Sequence, residues 1–262
     1  MQFKIRLHNT QSLPAVIPIN YQYPLSSAIY KIISRGDETY ASFLHEQGYG
    51  KGFKLFTFSQ INCPFNIIDD RLHLQHDELS FVVSFHLPQT MENFIKGLFQ
   101  SEQIDIADKY SKAHFSVKSV ETLPNQLQKY ADNEVVDVRF HLLSPVVAGV
   151  QNERGMYDFL SPDDPRFAES LIYNWRSKIS TCCDETDAES ALLLMEILPV
   201  KYAFKSRLIT IKANTPEETK IRGWINFELK VTAEKRFVEL LMNAGAGLYN
   251  AMGCGCITVE NL

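Results

Sequence analysis

The sequence has no long hydrophobic run. None of its apolar stretches approaches the roughly 18 residues that a membrane-spanning helix needs, so we expect no membrane association. Its first residues, Met1 to His8, alternate apolar and polar side chains. This alternation is typical of a strand and not of a signal peptide. With 45% hydrophobic and 22% charged residues, the chain has the composition of an ordinary globular protein.

Cysteine is scarce. The 262 residues contain five cysteines, an odd number, and Cys182 and Cys183 are adjacent. Free thiols fit this number and arrangement better than a framework of paired disulfides. Thiols in this number and arrangement indicate a reducing compartment, and we expect the protein to be cytoplasmic.

The motifs of several enzyme classes are also missing. There is no Walker lysine, nucleophile elbow or zincin motif. His73 and His76 have no Cys or acidic partner at ligand spacing, and the thiols of Cys254 and Cys256 alone do not complete a zinc site. We expect neither a metal nor a cofactor.

A strong positive charge is absent as well. The net charge is −5, which taken alone argues against a nucleic-acid partner. The distribution is uneven, however, because residues 151–200 contain ten acids and four bases, whereas residues 201–236 contain nine bases and four acids. This segregation permits a local nucleic-acid footprint, and two ordinary solvated faces explain it equally well.

Glycine is concentrated in one place. Four of the twelve glycines fall between positions 245 and 255, in the pattern G-h-G-x₅-G-h-G, where h is small or apolar. Glycine permits positive φ and a close approach of backbone to a ligand. Successive backbone N–H groups in such a loop form a concavity suited to phosphate. The pattern therefore predicts an RNA- or phosphate-binding loop made by Gly245, Gly247, Tyr249, Asn250, Gly253 and Gly255.

The surroundings of this loop exclude two common phosphate motifs. Ala233, Phe237, Leu240 and Leu241 follow helical spacing before it, and Cys256 to Val259 reads as a strand after it. A Walker loop and a dinucleotide fingerprint both need a strand before their glycines. The remaining alternative is a tight helix-to-strand connection made of small residues.

The order of predicted elements repeats. Strands are predicted at Phe3–Leu7, Leu55–Ile61, Leu79–Phe85 and Ala113–Val120, and helices around Leu25–Ile33, Tyr40–Leu44 and Met91–Gln100. After a polar linker near 121–134, strands are predicted at Val135–Leu143, Met195–Ile211, Trp224–Val231 and Cys256–Val259, with helices at Phe167–Ile179 and before the glycine loop. Both halves read roughly βαββαβ, which predicts an α+β protein of two tandem ferredoxin-like domains, 1–122 and 133–262.

Two side chains in the first half point away from their predicted helical stripes. Tyr30 lies roughly 130° from the centre of the stripe formed by Leu25 to Ile33, and His45 is similarly displaced from its own. Lys51 and Lys54 follow after a glycine-rich turn. The four residues make an acid–base cluster conceivable, although a tyrosine or histidine on a helix flank is usually only solvent-exposed.

A basic ribbon is predicted in the second half. Lys201, Lys205 and Arg207 fall on one face of the predicted strand Met195–Ile211, with Tyr202 and Phe204 on the other. Such a ribbon can follow a phosphate backbone. An amphipathic strand with its polar face in water is the alternative.

Four stretches of the sequence resemble a known family. They are Leu25 to Lys31; Phe43-Leu44-His45 followed by Lys54 to Ser59; Leu143-Ser144-Pro145; and the glycine-rich loop. Together they resemble the CRISPR-associated endoribonucleases of the RAMP superfamily, the sixth Cas family, which cut repeat RNA from the precursor transcript.

The resemblance implies a fold and a catalytic set. It implies two ferredoxin-like domains and metal-independent cleavage by the 2′-OH of the RNA, which leaves a 2′,3′-cyclic phosphate. By motif the catalytic residues are Tyr30, His45 and Lys54, with Lys51 as the alternative cation. The residue types suit the chemistry, because histidine exchanges protons at neutral pH and lysine supplies charge where negative charge develops.

The sequence departs from the family pattern at one point. Family members usually have a Lys or Arg between the two glycine pairs, where this chain has Leu-Tyr-Asn-Ala-Met. The implied partner is CRISPR repeat RNA, and a CRISPR effector complex and a homodimer are left open. The alternative to catalysis is an RNA-binding RAMP subunit of an effector complex, and the presence of His45 favours the enzyme.

Overall fold

The computed structural model describes residues 1–11, 14–213 and 215–259. The described residues of the first half form eight strands and three helices. In chain order this half contains β1 (Gln2–Asn9), β2 (Val16–Pro18), α1 (Gln22–Gly36), α2 (Glu38–Glu46), β3 (Phe56–Phe58), β4 (Phe65–Ile68), β5 (Arg71–Leu74), β6 (Glu78–Phe85), α3 (Pro88–Gln100), β7 (Gln103–Ala107) and β8 (Lys112–Thr122).

The main sheet of this half has the strand order β3-β6-β1-β8-β7, and its neighbours are antiparallel. The four strands of the βαββαβ unit are β1, β3, β6 and β8. They lie side by side in the order second, third, first and fourth, and β7 is added at the edge beside β8. It is the ferredoxin-like order, as predicted. Helices α1 and α3 pack together over the sheet, and the predicted stripe of α1 is buried along its whole length.

The sequence patterns missed a second, smaller sheet. Strands β2, β5 and β4 form it, in that order, and each has only three or four residues. So few positions cannot establish an alternation of period two. The predicted strand Leu55–Ile61 is likewise only β3, because Leu55 adopts φ 54 and its side chain packs into the core of the second half.

The second half repeats the arrangement. It contains a short 3₁₀ helix (Gln126–Lys129), then β9 (Val135–Leu142), β10 (Gly149–Gln151), β11 (Tyr157–Phe159), α4 (Arg166–Cys182), α5 (Glu185–Ser190), β12 (Leu194–Pro199), β13 (Lys205–Ile211), β14 (Thr219–Ile225), β15 (Phe227–Glu234), α6 (Lys235–Ala244), a second 3₁₀ helix (Asn250–Met252) and β16 (Ile257–Val259).

The main sheet of this half has the order β12-β15-β9-β16, again second, third, first, fourth. Both halves are therefore ferredoxin-like, and the mixed α+β prediction is confirmed. Thr122 ends the last strand of the first sheet, and Val135 begins the first strand of the second. The domain limits 1–122 and 133–262 stay a prediction.

Two predicted strands are each divided in the structure. Met195–Ile211 becomes β12 and β13, which belong to different sheets, and Trp224–Val231 is broken at Asn226, where φ is 68°. Strands β13 and β14 form a separate hairpin. The alternation continued across both breaks, so periodicity alone did not reveal the change of sheet.

The prediction of a basic ribbon along one face of a single continuous strand is therefore wrong. Lys201 lies in the bend between β12 and β13, with its ammonium 5.9 Å from the ring centroid of Tyr202. Only Lys205 and Arg207 lie on β13. They share the side of the strand whose later residues, Ile209 and Ile211, are buried.

The two domains are joined by buried hydrogen bonds. The Gln2 side-chain amide donates to the Ile257 carbonyl at 2.9 Å, and Ser26 Oγ donates to the Ala251 carbonyl at 2.6 Å. Thr57 Oγ1 donates to the Cys254 carbonyl at 2.9 Å. The glycine-rich loop of the second domain thus packs directly on α1 and β3 of the first. No helix in the described residues is long and apolar enough to cross a membrane.

Candidate active site

Tyr30 and His45 meet at the edge of the first domain. Tyr30 is on α1 and His45 is in the last turn of α2, and their ring centroids lie 5.1 Å apart in a T-shaped contact. The Tyr30 ring also contacts Phe56 edge-on at 5.5 Å, and burial raises the pKa of its hydroxyl. Tyr30 is thus fixed against the core edge, whereas His45 is exposed, so the predicted outward orientation holds for His45 and only in part for Tyr30.

Lys54 is attached to the same place. Its ammonium donates to the main-chain carbonyl of His45 at 2.9 Å, and partial burial lowers its pKa. Gly48, with φ 69°, makes room for this contact, since a Cβ there would lie 3.0 Å from Lys54 Nζ. A turn between α2 and β3 therefore folds the lysine back onto the histidine.

Lys51 takes a different position. Its ammonium lies over the ring of Tyr173 on α4, 5.5 Å from the centroid. The two candidate cations are therefore separated, with Lys54 at the His45 main chain and Lys51 beside the second domain. This separation supports Lys54 as the cation nearer the reacting groups, which stays a proposal.

The glycine-rich loop has the backbone that its sequence predicts. All four glycines have positive φ, between 69° and 91°, and Tyr249 has φ 57°. Close packing also demands glycine, because a Cβ at Gly247 would lie 2.2 Å from the Val147 carbonyl oxygen and one at Gly253 would lie 2.4 Å from the Phe58 ring.

The loop amides are not the open phosphate cradle that the pattern suggested. The amides of Gly245, Gly253 and Gly255 donate to the carbonyls of Leu241, Asn250 and Pro145. Three of the four glycine N–H groups are consequently unavailable to a phosphate. The side chain of Asn250 ties the loop further, donating to the carbonyls of Ala246 and Cys254 at 3.1 and 3.0 Å.

Sequence reasoning missed one residue of this site, Lys178. This lysine of α4 lies beneath the loop and is 1% exposed. Its ammonium donates to the carbonyls of Gly245 and Gly247 at 2.6 and 3.2 Å, and to Asn250 Oδ1 at 2.7 Å. A signal was present in the sequence, because Lys178 falls on the apolar stripe of Phe167, Leu171, Trp175 and Ile179, where a charge is unexpected.

These residues share one cleft between the domains. It has a volume of about 910 Å³, and Tyr30, His45, Lys51 and Lys54 line one side of it. Polar residues of α4 and the loop residues Gly247, Tyr249 and Asn250 line the other. Among the described residues, Gly245, Gly253, Gly255, Lys201, Lys205 and Arg207 lie outside this lining. The structure therefore groups the predicted catalytic set with half of the predicted loop residues, and separates both from the predicted basic residues Lys201, Lys205 and Arg207.

A second cavity adjoins the first. It has a volume of about 830 Å³ and lies on the α1 side, and its charged lining residues are three bases, Lys31, Arg35 and Lys112, and two acids, Glu46 and Asp105. Tyr30, His45 and Met252 line both cavities and therefore lie at the boundary between them, which we call the ridge.

One group of potential metal ligands occurs elsewhere in the part of the chain that the structure describes. Ligand atoms of His8, Asp77 and Glu78 lie within 4.8 Å of one another. Lys118 already forms an ion pair with Glu78. None of these residues lines either cavity at Tyr30 and His45, so we connect no metal with the cleft.

Comparison with known proteins identifies relatives along the whole chain. The CRISPR-associated endoribonuclease Cas6 1 of Methanocaldococcus jannaschii is 25% identical over 251 residues, which cover 92% of this chain and 87% of that protein. A solved structure of a Cas6-related gene product from Pyrococcus furiosus superposes with a TM-score of 0.79 at 21% identity, covering 99% of this chain and 98% of that one. A structure described as a RAMP protein binding different RNA substrates superposes with a TM-score of 0.78 at 19% identity, covering 100% of both chains.

The two superpositions, at these identities, show the fold alone. The family follows from sequence profiles. Residues 16–121 match the profile of the CRISPR-associated protein Cas6, N-terminal, and residues 126–259 match that of its C-terminal part. Because these matches cover most of the chain, the resemblance seen in the sequence motifs is confirmed, and the chain belongs to the Cas6 family of CRISPR-associated proteins.

Proposed function

We propose that this chain is an endoribonuclease that cleaves CRISPR repeat RNA, with Tyr30, His45 and Lys54 as its catalytic residues. One observation supports this most directly. The imidazole of His45 is exposed at the edge of a cleft, packed against a tyrosine, with a lysine bonded to its own main-chain carbonyl. Proton transfer and positive charge are thereby available at one point of the surface.

The RNA supplies the nucleophile of the reaction, and the protein supplies proton transfer and positive charge. The 2′-OH beside the scissile phosphate attacks phosphorus, its proton leaves, and the 5′-oxygen of the next nucleotide departs with a proton. His45 is positioned to transfer one of these protons, since histidine can act as acid or base near neutral pH. Lys54 offers charge to the phosphorane oxygens. Burial keeps the hydroxyl of Tyr30 protonated, so we assign it as a hydrogen-bond donor and not as a base.

The two cavities suggest a path for the RNA. A strand crossing the ridge of Tyr30 and His45 would have nucleotides in both cavities, with the scissile phosphate on the ridge. Tyr173 is 68% exposed beside the interdomain cleft and offers a stacking surface for a base. Lys51, Tyr249 and the outer surface of the glycine-rich loop are the remaining contacts that we propose for RNA.

The basic residues of the β12–β13 bend and of strand β13 are a more distant RNA contact. We propose that Lys201, Lys205 and Arg207 add phosphate attraction outside the cleft, and we assign them no chemical step. Arg207 already makes a cation–π contact, with its guanidinium 6.0 Å from the ring centroid of Tyr21.

Assembly with an effector complex and formation of a homodimer are open proposals. We also propose a cytoplasmic location, with which the five free cysteines agree.

Cleavage without metal tests the function. Purified protein is incubated with the repeat RNA of the host array in EDTA, beside the same RNA with a 2′-deoxy residue at the cut site. We expect the first RNA to be cut to a 2′,3′-cyclic phosphate and the second to be bound but uncut. Binding of both RNAs without cleavage would favour the alternative, an RNA-binding subunit. Cutting of the deoxy RNA would refute attack by the 2′-OH.

A further inference from the structure

Lys178 is a buried cation with no acid beside it among the contacts of the described residues. Its three hydrogen-bond acceptors are two loop carbonyls and the oxygen of an amide side chain. The Phe53 ring of the first domain lies 5.8 Å from the ammonium. A buried charge is costly unless it is paired, so a lysine at this position needs a reason other than packing.

Lys178 brings a positive charge to the glycine-rich loop, which has none of its own between its glycine pairs. The five residues between the glycine pairs, Leu248 to Met252, contain no cation. Lys178 reaches the same loop from below, and it lies in the floor of the interdomain cleft. The carbonyls of Gly245 and Gly247 accept hydrogen bonds from the ammonium, and Gly247, Tyr249 and Asn250 line the same cleft, where RNA is proposed to bind.

Resting on the proposed function, we infer that Lys178 is the cation of the glycine-rich loop. It is a positioning residue whose hydrogen bonds shape the loop and whose positive charge attracts an RNA phosphate bound in the cleft. The phosphate would in turn supply the negative charge that the buried ammonium lacks. RNA and the proton on Lys178 then favour each other's binding, by the reciprocity of linked equilibria.

The electrostatic surroundings agree with this coupling. Burial lowers the pKa of Lys178 to about 7. From its own helix, the Cys182 thiol opposes this shift weakly. The bases that line the same cleft are Lys51, Lys54 and Arg166. The lining also contains one acid, Glu169, and the titratable side chain of His45. Lys178 of the free protein is therefore partly neutral above neutral pH, and a bound phosphate raises its pKa and causes uptake of a proton.

The test measures the number of protons that the protein takes up when it binds RNA. The RNA is the host repeat with a 2′-deoxy residue at the cut site, so that binding is observed without cleavage. Binding heats at pH 8 in two buffers of different ionisation enthalpy give the protons taken up, for the wild type and for Lys178→Met and Lys178→Arg. Lys96→Met, which removes an exposed lysine from α3, is the matched control.

We expect the wild type and Lys96→Met to take up a proton on binding. Both substitutions at position 178 should abolish that part of the uptake. Lys178→Met should weaken binding about 10- to 100-fold, as expected for losing one unit charge near a phosphate in a medium of intermediate dielectric constant. Lys178→Arg, which remains charged, should bind with an affinity that no longer falls between pH 7 and 9.

Two results would overturn the inference. Unchanged proton uptake in a folded Lys178→Met protein would mean that the lysine only shapes the loop. Absence of uptake in the wild type would refute the linkage even if both variants failed to fold. If the wild type does not bind the repeat RNA at all, the proposed function fails instead, and the two failures are therefore distinguishable.

Discussion

At the scale of single residues, substitution of His45 should affect the cleavage rate and leave RNA affinity nearly unchanged. Its imidazole is exposed and contacts Tyr30, so its loss should leave the fold and most RNA contacts intact. We expect His45→Ala to reduce the single-turnover cleavage rate by roughly 10²- to 10⁴-fold, the usual cost of a lost general acid or base, with little change in affinity. His76→Ala, another exposed histidine, is the control. A wild-type rate for purified His45→Ala would assign the chemistry to another residue.

Lys54 and Lys51 form a matched pair for the choice of catalytic cation. Lys54 is bonded to the main chain of His45, whereas Lys51 lies over Tyr173. We expect Lys54→Met to reduce the rate at saturating RNA by about 10²- to 10³-fold, as for loss of one group that stabilises developing negative charge. Lys51→Met should raise the Kd and leave that rate unchanged. The opposite result would make Lys51 the catalytic cation.

At the scale of elements, the glycine-rich loop is as much a packing device as a binding loop. Gly253 has φ 76°, and a Cβ at this position would lie 2.4 Å from the buried ring of Phe58. We expect Gly253→Val to lower the free energy of unfolding by about 2–4 kcal/mol, from backbone strain and overpacking together. The neighbouring Met252→Val should cost less than about 1.5 kcal/mol. Urea unfolding measures both, and equal mild effects would show that the contact with Phe58 relaxes easily.

At the scale of the whole molecule, Lys178 should make stability depend on pH. Its pKa is about 7 in the folded protein, against an ordinary value of 10.5. Between these values the unfolded chain binds more protons, so stability rises with pH across this window and is lower near and below pH 7. We expect the wild type to gain up to about 1.4 kcal/mol per pH unit relative to Lys178→Met. Urea titrations at pH 7, 8 and 9 measure the difference, and parallel pH profiles would contradict it.

Amino-acid patterns determined the family, the two ferredoxin-like halves and the positions of the main helices. Each of these follows from local information. The stripe from Leu25 to Ile33 has helical period, the Val135–Leu142 strand alternates, and the four glycines mark backbone of positive φ. Residues that follow such periodicities over several turns or pairs report their own environment, and the structure confirms them.

Only the tertiary structure decided which groups meet. It brings Lys54 to the carbonyl of His45, divides the predicted basic ribbon between a bend and a hairpin, and engages the loop amides inside the protein. It also places Lys178, which is 67 and 69 positions before two of its partners, under a loop that has no cation of its own. Contacts between distant segments depend on how two sheets and their helices pack, and no local pattern encodes that packing.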